Sequence, residues 1–207
     1  VYASAYEGEG GQMQRGFVDY DAVAARLRQV EGVTRAAPLI KGQVMATAHG
    51  VNMGAEVFGI RTEDIRTIPR VGDGADAEGD LARFDQGIAI GSGLARELNL
   101  GLGDRLRLIS PDGVKTAFGT SPRVNAYEVV YIFTAGRYDI DRTRVYLPFT
   151  EAQSYFNREG RADEIEVMVQ DPEQIEAYEL PVMQAAGDRA MIWTWRDSAG
   201  AFLRALT

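Results

Sequence analysis

The sequence of 207 residues contains no cysteine and a single histidine, His49. Disulfides and thiolate metal sites are therefore excluded, and the lack of cysteine fits either a reducing compartment or a periplasmic domain. One histidine without cysteine cannot build a usual zinc site, and no G-x-S-x-G motif accompanies it for a serine-type triad. The sequence offers no catalytic constellation, which favours a binding or transport role, and we expect no cofactor and no metal in this domain.

Long apolar runs and an excess of basic charge are also missing. No stretch of about 18 apolar residues is present to span a membrane, and no N-terminal stretch combines basic residues with an apolar core as a signal peptide does. We therefore expect either a cytosolic protein or a soluble part of something larger. The net charge is −8, and because no basic block offsets it, a nucleic-acid partner is disfavoured.

The two ends of the sequence follow a strand, helix, strand order, whereas the middle is rich in short strands. The clearest helix is predicted over 19–31, with Asp19 or Asp21 as its cap, and a second helix starts at Asp171-Pro172. We predict an α+β fold in which a split βαβ-like lobe is made from both ends, with an inserted β-rich lobe between them. The outer lobe comprises 1–41 and 161–207, and the inserted lobe comprises 42–160.

Within the middle region, short elements are predicted in quick succession. They are a hairpin of 43–47 and 55–60 around His49-Gly50, a mobile excursion over 61–81, a strand at 87–90, a helix at 92–98, strands at 105–109, 126–132 and 143–147, and a helix opened by a capping box at Thr150–Gln153. In the last third, strands are predicted at 165–169 and 189–195, and a helix at 197–206.

A long connector, Ser110–Asn125, is predicted between the strands at 105–109 and 126–132. Hairpin loops usually take two to five residues, and loops beyond about twelve usually serve a function. The connector has Pro111 and Pro122 near its ends and one bulky apolar residue, Phe118, near its middle. An apolar side chain at the tip of a projecting loop suits partner binding, and a disordered crossover is the alternative.

A glycine-rich turn at Gly91-Ser92-Gly93 stands where a dinucleotide fingerprint would stand, after a strand and before a helix. Arg96 occupies the place of the third glycine, and the helix lasts only about two turns. A tight strand-to-helix turn explains the pattern, and a nucleotide-binding enzyme is the alternative from another functional class.

Three further sets of residues have both a functional and a structural interpretation. Asp139 and Asp141 flank a turn and could pair as acid and base, or be solvated carboxylates. Trp193 and Trp195 share one face of a strand, which core or interface packing explains. Arg107 lies on the strand that enters the long connector, where it could contact a partner or be an ordinary exposed residue.

Four segments carry a resemblance to a known family. They are Ala22–Pro38 (AVAARLRQVEGVTRAAP), Gly87–Asp104 (GIAIGSGLARELNLGLGD), Val145–Ala152 and Trp195–Asp197. Together they resemble the periplasmic domain of the membrane subunits of lipoprotein-releasing ABC transporters, the LolC/LolE type within the wider MacB-like permeases. The Trp-Arg-Asp sequence followed by Gly200 and Phe202 is the part most particular to the lipoprotein branch.

The resemblance implies a membrane-proximal porter lobe built from both chain ends and a Sabre lobe inserted between them. It implies a non-enzymatic part of an inner-membrane protein that faces the periplasm, with ATP hydrolysed on a separate cytoplasmic subunit. The implied partners are a LolA-like lipoprotein carrier, a second permease subunit or a second copy, and lipoprotein substrates. A MacB-like domain for drug, toxin or peptide efflux or for signalling is the alternative, and the subunit type (LolC-like, LolE-like or merged) stays open.

In this family a protruding hook recruits the carrier, and an arginine at the base of the hook assists. The segment Gly103–Pro111 matches the family without a gap and places that arginine at Arg107. The hook then falls on 111–123, one residue shorter than the family pattern, with Phe118 in place of an aliphatic or Met side chain. The implied partner-binding residues are Arg107, Pro111, Ala117, Phe118, Gly119, Thr120, Pro122 and Val124.

Overall fold

The computed structural model describes residues 2–7, 14–187 and 190–194. Within them the strands are β1 (Tyr2–Glu7), β2 (Gln14–Arg15), β3 (Val33–Ala48), β4 (Val51–Ile60), β5 (Glu78–Gly79), β6 (Ile88–Gly91), β7 (Arg105–Thr116), β8 (Gly119–Phe133), β9 (Arg144–Pro148), β10 (Glu164–Val169) and β11 (Ala190–Trp193). The α-helices are α1 (Tyr20–Arg28), α2 (Thr62–Ile65), α3 (Ser92–Glu97), α4 (Tyr138–Thr143), α5 (Phe149–Tyr155) and α6 (Ile175–Ala186). The helix predicted over 197–206, Trp195 and the side chain of Trp193 lie outside the described part.

The chain divides into two compact units. One comprises Val1–Leu39 and Gly160–Thr207, and the other comprises Ile40–Glu159. Strand β3 contributes its first half to one unit and its second half to the other. Strands and helices occur in both units, so the predicted α+β class is confirmed. In the described residues, no helix is long and apolar enough to cross a membrane.

The first unit contains an antiparallel sheet with the strand order β11, β1, β10, β3. The segments β1–α1–β3 and β10–α6–β11 each contribute two strands to this sheet. Their strands alternate, because β10 lies between β1 and β3 while β1 lies between β10 and β11. Helix α1 forms where Val23, Ala24 and Leu27 recur at helical spacing, and all three are buried. Asp19 occupies the N-cap position, as predicted, but its side chain makes no capping hydrogen bond.

The core of the first unit is formed by these helices and the sheet. Apolar side chains from α1, α6, the strands and the segment before α1 pack in one buried cluster: Phe17, Val23, Ala24, Leu27, Ala36, Ile165, Val167, Val182 and Ala186. Helix α6 continues through Pro181, so the residue does not split it. Burial of both amphipathic helices on one sheet face is the arrangement that the 3.6-residue periodicity predicts.

The second unit is built on a mixed sheet. Its strand order is β3, β4, β9, β6, β8, β5, and β7 pairs with both β3 and β8. Strands β3 and β4 form the hairpin predicted at His49-Gly50, whose positive φ angles of 51° and 76° are those of a type I′ turn. The Phe133 ring packs 5.4 Å from the Tyr146 ring in the core, centroid to centroid.

Two sequence predictions in this unit need correction. The segment 61–81 was expected to be mobile, but it contains α2 and buries Ile65, Val71 and Leu81. The Tyr131 hydroxyl donates to the Val71 carbonyl at 2.5 Å, which anchors the segment further. The capping box at Thr150 is also wrong, because α5 begins at Phe149 with Pro148 at its N-cap.

We predict that Gly91→Ala destabilises the protein. A Cβ at Gly91 would lie 2.2 Å from the Asp141 carbonyl oxygen, whereas a Cβ at Gly101 would have nothing closer than 3.8 Å. Overpacking of this kind typically costs about 1–3 kcal/mol. Urea unfolding followed by circular dichroism should show a lower midpoint for Gly91→Ala and little change for Gly101→Ala, and equal midpoints would contradict the packing.

Candidate functional site

The segment predicted as a long connector is a β-hairpin. Strands β7 and β8 pair from Arg105 opposite Glu128 to Thr116 opposite Gly119, which leaves a loop of only two residues. The prediction of a loop over Ser110–Asn125, and hence of a hook loop over 111–123, is therefore wrong in its local structure. The reason is that the backbone N–H and C=O groups of this segment hydrogen-bond across the hairpin, whereas in a loop they would bond to water.

The two prolines of the segment lie where the pairing of the hairpin is interrupted. Between the pairs Ser110–Arg123 and Val114–Ser121, strand β7 has three residues and β8 has one, Pro122. A bulge of this kind tolerates proline, which has no N–H to donate to a ladder. Pro111 and Pro122 are both exposed.

The bulge also brings the two strands unusually close together. A Cβ at Gly113 would lie 2.2 Å from the Arg123 backbone nitrogen. Real Cβ contacts are never this short, so only glycine fits between the strands at this position. The close approach fixes the bulge in the middle of the hairpin.

The tip of the hairpin presents Phe118. Its exposed fraction is 102%, and Ala117 and Thr120 beside it are exposed as well. The Thr116 hydroxyl accepts from the Phe118 N–H at 3.3 Å and donates to the Gly119 carbonyl at 2.8 Å. With a φ of 122°, Gly119 adopts a conformation that side chains disfavour. The turn therefore holds an apolar ring in solvent with a defined local geometry.

The base of the hairpin joins the sheet of the second unit. Arg107 is exposed and stands opposite Ala126 on β8 and Thr47 on β3, and Val124 is 51% exposed. An apolar groove of about 410 Å³ adjoins the base, lined by Gln43, Val44, Met45, Ile109, Pro111 and Pro122. The structure thus collects all eight sequence-predicted partner-binding residues on one hairpin.

Two tyrosines lie at the contact between the hairpin base and helix α5, Tyr127 on β8 and Tyr155 on α5. The Tyr127 hydroxyl donates to Glu151 at 2.7 Å and accepts from the Asn125 amide at 3.0 Å. Burial raises the pKa of Tyr127 well above its usual range, and the hydrogen bond to the Glu151 carboxylate raises it further. Burial also raises the pKa of Tyr155 to about 12. The two rings meet edge to face, with centroids 6.4 Å apart.

The nucleotide-binding interpretation of Gly91-Ser92-Gly93 does not fit the structure. A Cβ at Gly93 would lie 2.9 Å from the Asp141 carbonyl oxygen, and Gly91 contacts the same residue. Dinucleotide-binding glycines leave room for a pyrophosphate, but here the backbone of α4 fills that room. Both glycines allow α4 to approach α3 and β6.

The remaining candidates have structural roles. The Asp141 carboxylate accepts from the N–H groups of Ala135 at 2.6 Å and Gly136 at 3.1 Å. Asp139 pairs with Arg137 at 3.3 Å on the surface, and His49 occupies a hairpin turn. Among the described residues, no group of three or more His, Asp or Glu side chains is placed to hold a metal ion.

Comparison with known proteins defines the class of this protein as a periplasmic core domain. The chain belongs to the family of MacB-like periplasmic core domains, whose model matches residues 1–181. This family is not itself catalytic, so the prediction of a non-enzymatic domain is confirmed. The resemblance found in the four sequence segments is confirmed as well.

Relatives agree with this family assignment. The chain is 24% identical over 179 residues to the lipoprotein-releasing system transmembrane protein LolC of Neisseria meningitidis serogroup B, covering 85% of this chain and 43% of that protein. The chain thus spans less than half of this relative. The fold of this chain resembles the periplasmic region of MacB from Actinobacillus actinomycetemcomitans, with a TM-score of 0.58 and 12% identity. The match covers 100% of this chain and 94% of the MacB chain. The fold also resembles the extracellular domain of the ABC-type transporter YknZ from Gram-positive bacteria, with a TM-score of 0.55 and 13% identity. The match covers 93% of this chain and 98% of the YknZ chain.

The sequence did not reveal the residues that attach the hairpin to the end of helix α5. Arg123 is only the last residue of the predicted hook, yet its side chain donates a hydrogen bond to the Asn157 side chain at 3.0 Å. Asn157 has a left-handed φ of 57°. An Asn directly after an apolar helical stretch is a known C-terminal signal, which marks the helix end but not the contact with the hairpin.

We predict that alkaline pH destabilises the hairpin base. Because the pKa of Tyr155 is about 12 when folded and about 10 when unfolded, its contribution is fully present below pH 10 and is lost as the pH rises to 12. The Tyr155→Phe variant, which keeps the ring, should lose less stability over this interval. Unfolding midpoints measured from pH 9 to 12 test this, and parallel curves for variant and wild type would refute it.

Proposed function

We propose that this domain takes part in releasing lipoproteins from the inner membrane and hands them to a soluble periplasmic carrier of the LolA type. The β7–β8 hairpin is the element that recruits the carrier. The observation that carries the proposal is the full exposure of Phe118 at the tip of a paired hairpin. One relative is a transmembrane protein of a lipoprotein-releasing system, which supports the choice of lipoprotein release.

The hairpin suits recruitment because little of it needs to be ordered on binding. Immobilising a flexible loop costs free energy that is lost from the affinity. Strand pairing up to Thr116 and Gly119 and the hydroxyl contacts of Thr116 have already fixed the segment. Phe118 can therefore act as a hot spot, the kind of aromatic anchor that dominates many interfaces. A carrier that holds acyl chains offers an apolar cavity, and Phe118 would dock at or near its mouth.

The base of the hairpin supplies the second part of the proposed contact. Arg107 is exposed on the strand that leads to the tip, and Val124 presents an apolar surface on the neighbouring strand. A guanidinium at the rim of an interface steers association and fixes register more than it adds affinity. We therefore assign the tip to affinity and Arg107 to orientation.

The remaining assignments follow from the same proposal. The unit Ile40–Glu159 corresponds to the Sabre-like lobe, and the unit formed from both chain ends corresponds to the porter-like lobe. The full protein would sit in the inner membrane, pair with a second permease subunit or a second copy, and use a cytoplasmic ATPase subunit. Lipoproteins are the substrates, and the domain itself needs no cofactor.

We predict that Phe118→Asp weakens binding to the organism's own carrier by about tenfold or more, because truncation of an aromatic hot spot typically costs at least about 2 kcal/mol. Arg107→Glu should chiefly slow association and reduce the salt dependence of binding. Surface plasmon resonance with the immobilised carrier measures both effects.

A matched control is available at the other hairpin tip of the same unit. Val51 is 43% exposed beside the His49-Gly50 turn, so Val51→Asp introduces the same charge on a hairpin without altering β7 or β8. Its affinity should equal that of the wild type, and all variants should have unchanged circular dichroism. Full binding by both Phe118→Asp and Arg107→Glu would show that the hairpin does not recruit the carrier.

A further inference from the structure

Asn157 ends helix α5 and reaches the hairpin. The Arg158 N–H bonds to the Gln153 carbonyl at 2.7 Å and the Asn157 N–H to the Ser154 carbonyl at 3.3 Å, which are the two bonds of a Schellman motif. Asn157 is the left-handed residue of this motif, with a φ of 57°. Asparagine tolerates this conformation better than most residues, and unlike glycine it has a side chain that can make further contacts.

The side chain of Asn157 joins both strands of the hairpin. Its Nδ2 donates to the Gly113 carbonyl of β7 at 2.8 Å, and its Oδ1 accepts from Nη2 of Arg123 on β8 at 3.0 Å. The second guanidinium nitrogen of Arg123 donates to the Ser154 carbonyl, one of the last carbonyls of α5. A cation at this place also interacts favourably with the helix dipole.

These contacts fall on the bulge, where the hairpin lacks regular pairing. On the Arg105 side of the bulge, β7 pairs with both β3 and β8. On the Thr116 side, within the described residues, β7 pairs with β8 alone. The bulge is therefore the place about which the outer part of the hairpin, residues 114–121, can change direction. The contacts of Asn157 and Arg123 attach this place to the end of α5.

We propose that Asn157, together with Arg123, is a positioning residue that fixes the direction of the outer hairpin and so the presentation of Phe118. The inference rests on the proposed function of the hairpin in carrier recruitment. When only a fraction of molecules present Phe118 correctly, the apparent dissociation constant rises by the inverse of that fraction. Asn157 thus raises affinity without being the anchor of the interface.

The test compares two asparagines in the same structural setting. Asn99 ends α3 in an equivalent Schellman motif, with a φ of 53°, a Leu100 N–H bond to the Ala95 carbonyl at 2.8 Å and an Asn99 N–H bond to the Arg96 carbonyl at 3.2 Å. Glycine suits both left-handed positions. Asn157→Gly therefore removes the hairpin contacts and keeps the helix end, and Asn99→Gly controls for the backbone effect.

Hydrogen exchange of the free domain and carrier binding are measured on the same variants. In Asn157→Gly, the amides of 114–121 should exchange about five- to thirtyfold faster, the size expected from losing one or two hydrogen bonds, and the carrier affinity should fall by a similar factor. Asn157→Asp keeps an acceptor for Arg123 but loses the donor to Gly113, so it should lie between wild type and Asn157→Gly. Asn99→Gly should change neither measurement.

The outcomes separate the two proposals. Unchanged exchange of 114–121 in Asn157→Gly would overturn the positioning role. So would faster exchange with undiminished affinity, provided that Phe118→Asp still weakens binding. Undiminished affinity of both Phe118→Asp and Arg107→Glu would instead overturn carrier recruitment by the hairpin, and the positioning role in that recruitment with it.

Discussion

The pairing of β7 with β8 is the constraint on which the candidate site depends. Backbone N–H and C=O groups must find partners, and in this segment they find them across the hairpin from Arg105 to Thr116. The ladder turns a segment of little apolar content into an arm that holds one aromatic ring in water. It is interrupted once, at the bulge beside Gly113, and side chains from the end of α5 contact the arm at that point.

The same contacts stabilise both elements that they join. Arg123 satisfies the Ser154 carbonyl at the end of α5, and a helix end leaves such carbonyls without partners inside the helix. In return, Asn157 at the end of α5 bonds to Gly113 of β7, which lies in the bulge where the regular strand pairing is interrupted. Two tyrosines extend this contact, since Tyr127 on β8 donates to Glu151 on α5 and the hydroxyl of Tyr155 on α5 donates to the Arg123 carbonyl at 3.4 Å. Helix and hairpin therefore depend on each other for their position.

The sequence predicts elements well where local pattern and tertiary packing agree. Helix α1 follows from the spacing of Val23 and Leu27, and the β3–β4 turn follows from His49-Gly50. The base strands of the β7–β8 hairpin follow from the pattern at 105–109 and 126–132, but its outer part does not, because Pro111 and Pro122 break the local strand pattern and only pairing across a bulge accommodates them. The contact of Asn157 with the hairpin spans 44 residues to Gly113, so no local pattern could reveal it.

Exposure alone would not mark Phe118 as functional, because single exposed apolar side chains are common on protein surfaces. The stronger argument is that several separate contacts define its position. The ladder supports the arm, Thr116 shapes the turn, and Asn157 joins the bulge to α5. An open two-stranded arm also risks pairing with other chains along its free edges. Pro111 in β7 and Pro122 in β8 interrupt those edges, because proline has no N–H to donate. The prolines that break the strand pattern in the sequence therefore also restrict edge pairing, which favours contact with a partner through the tip.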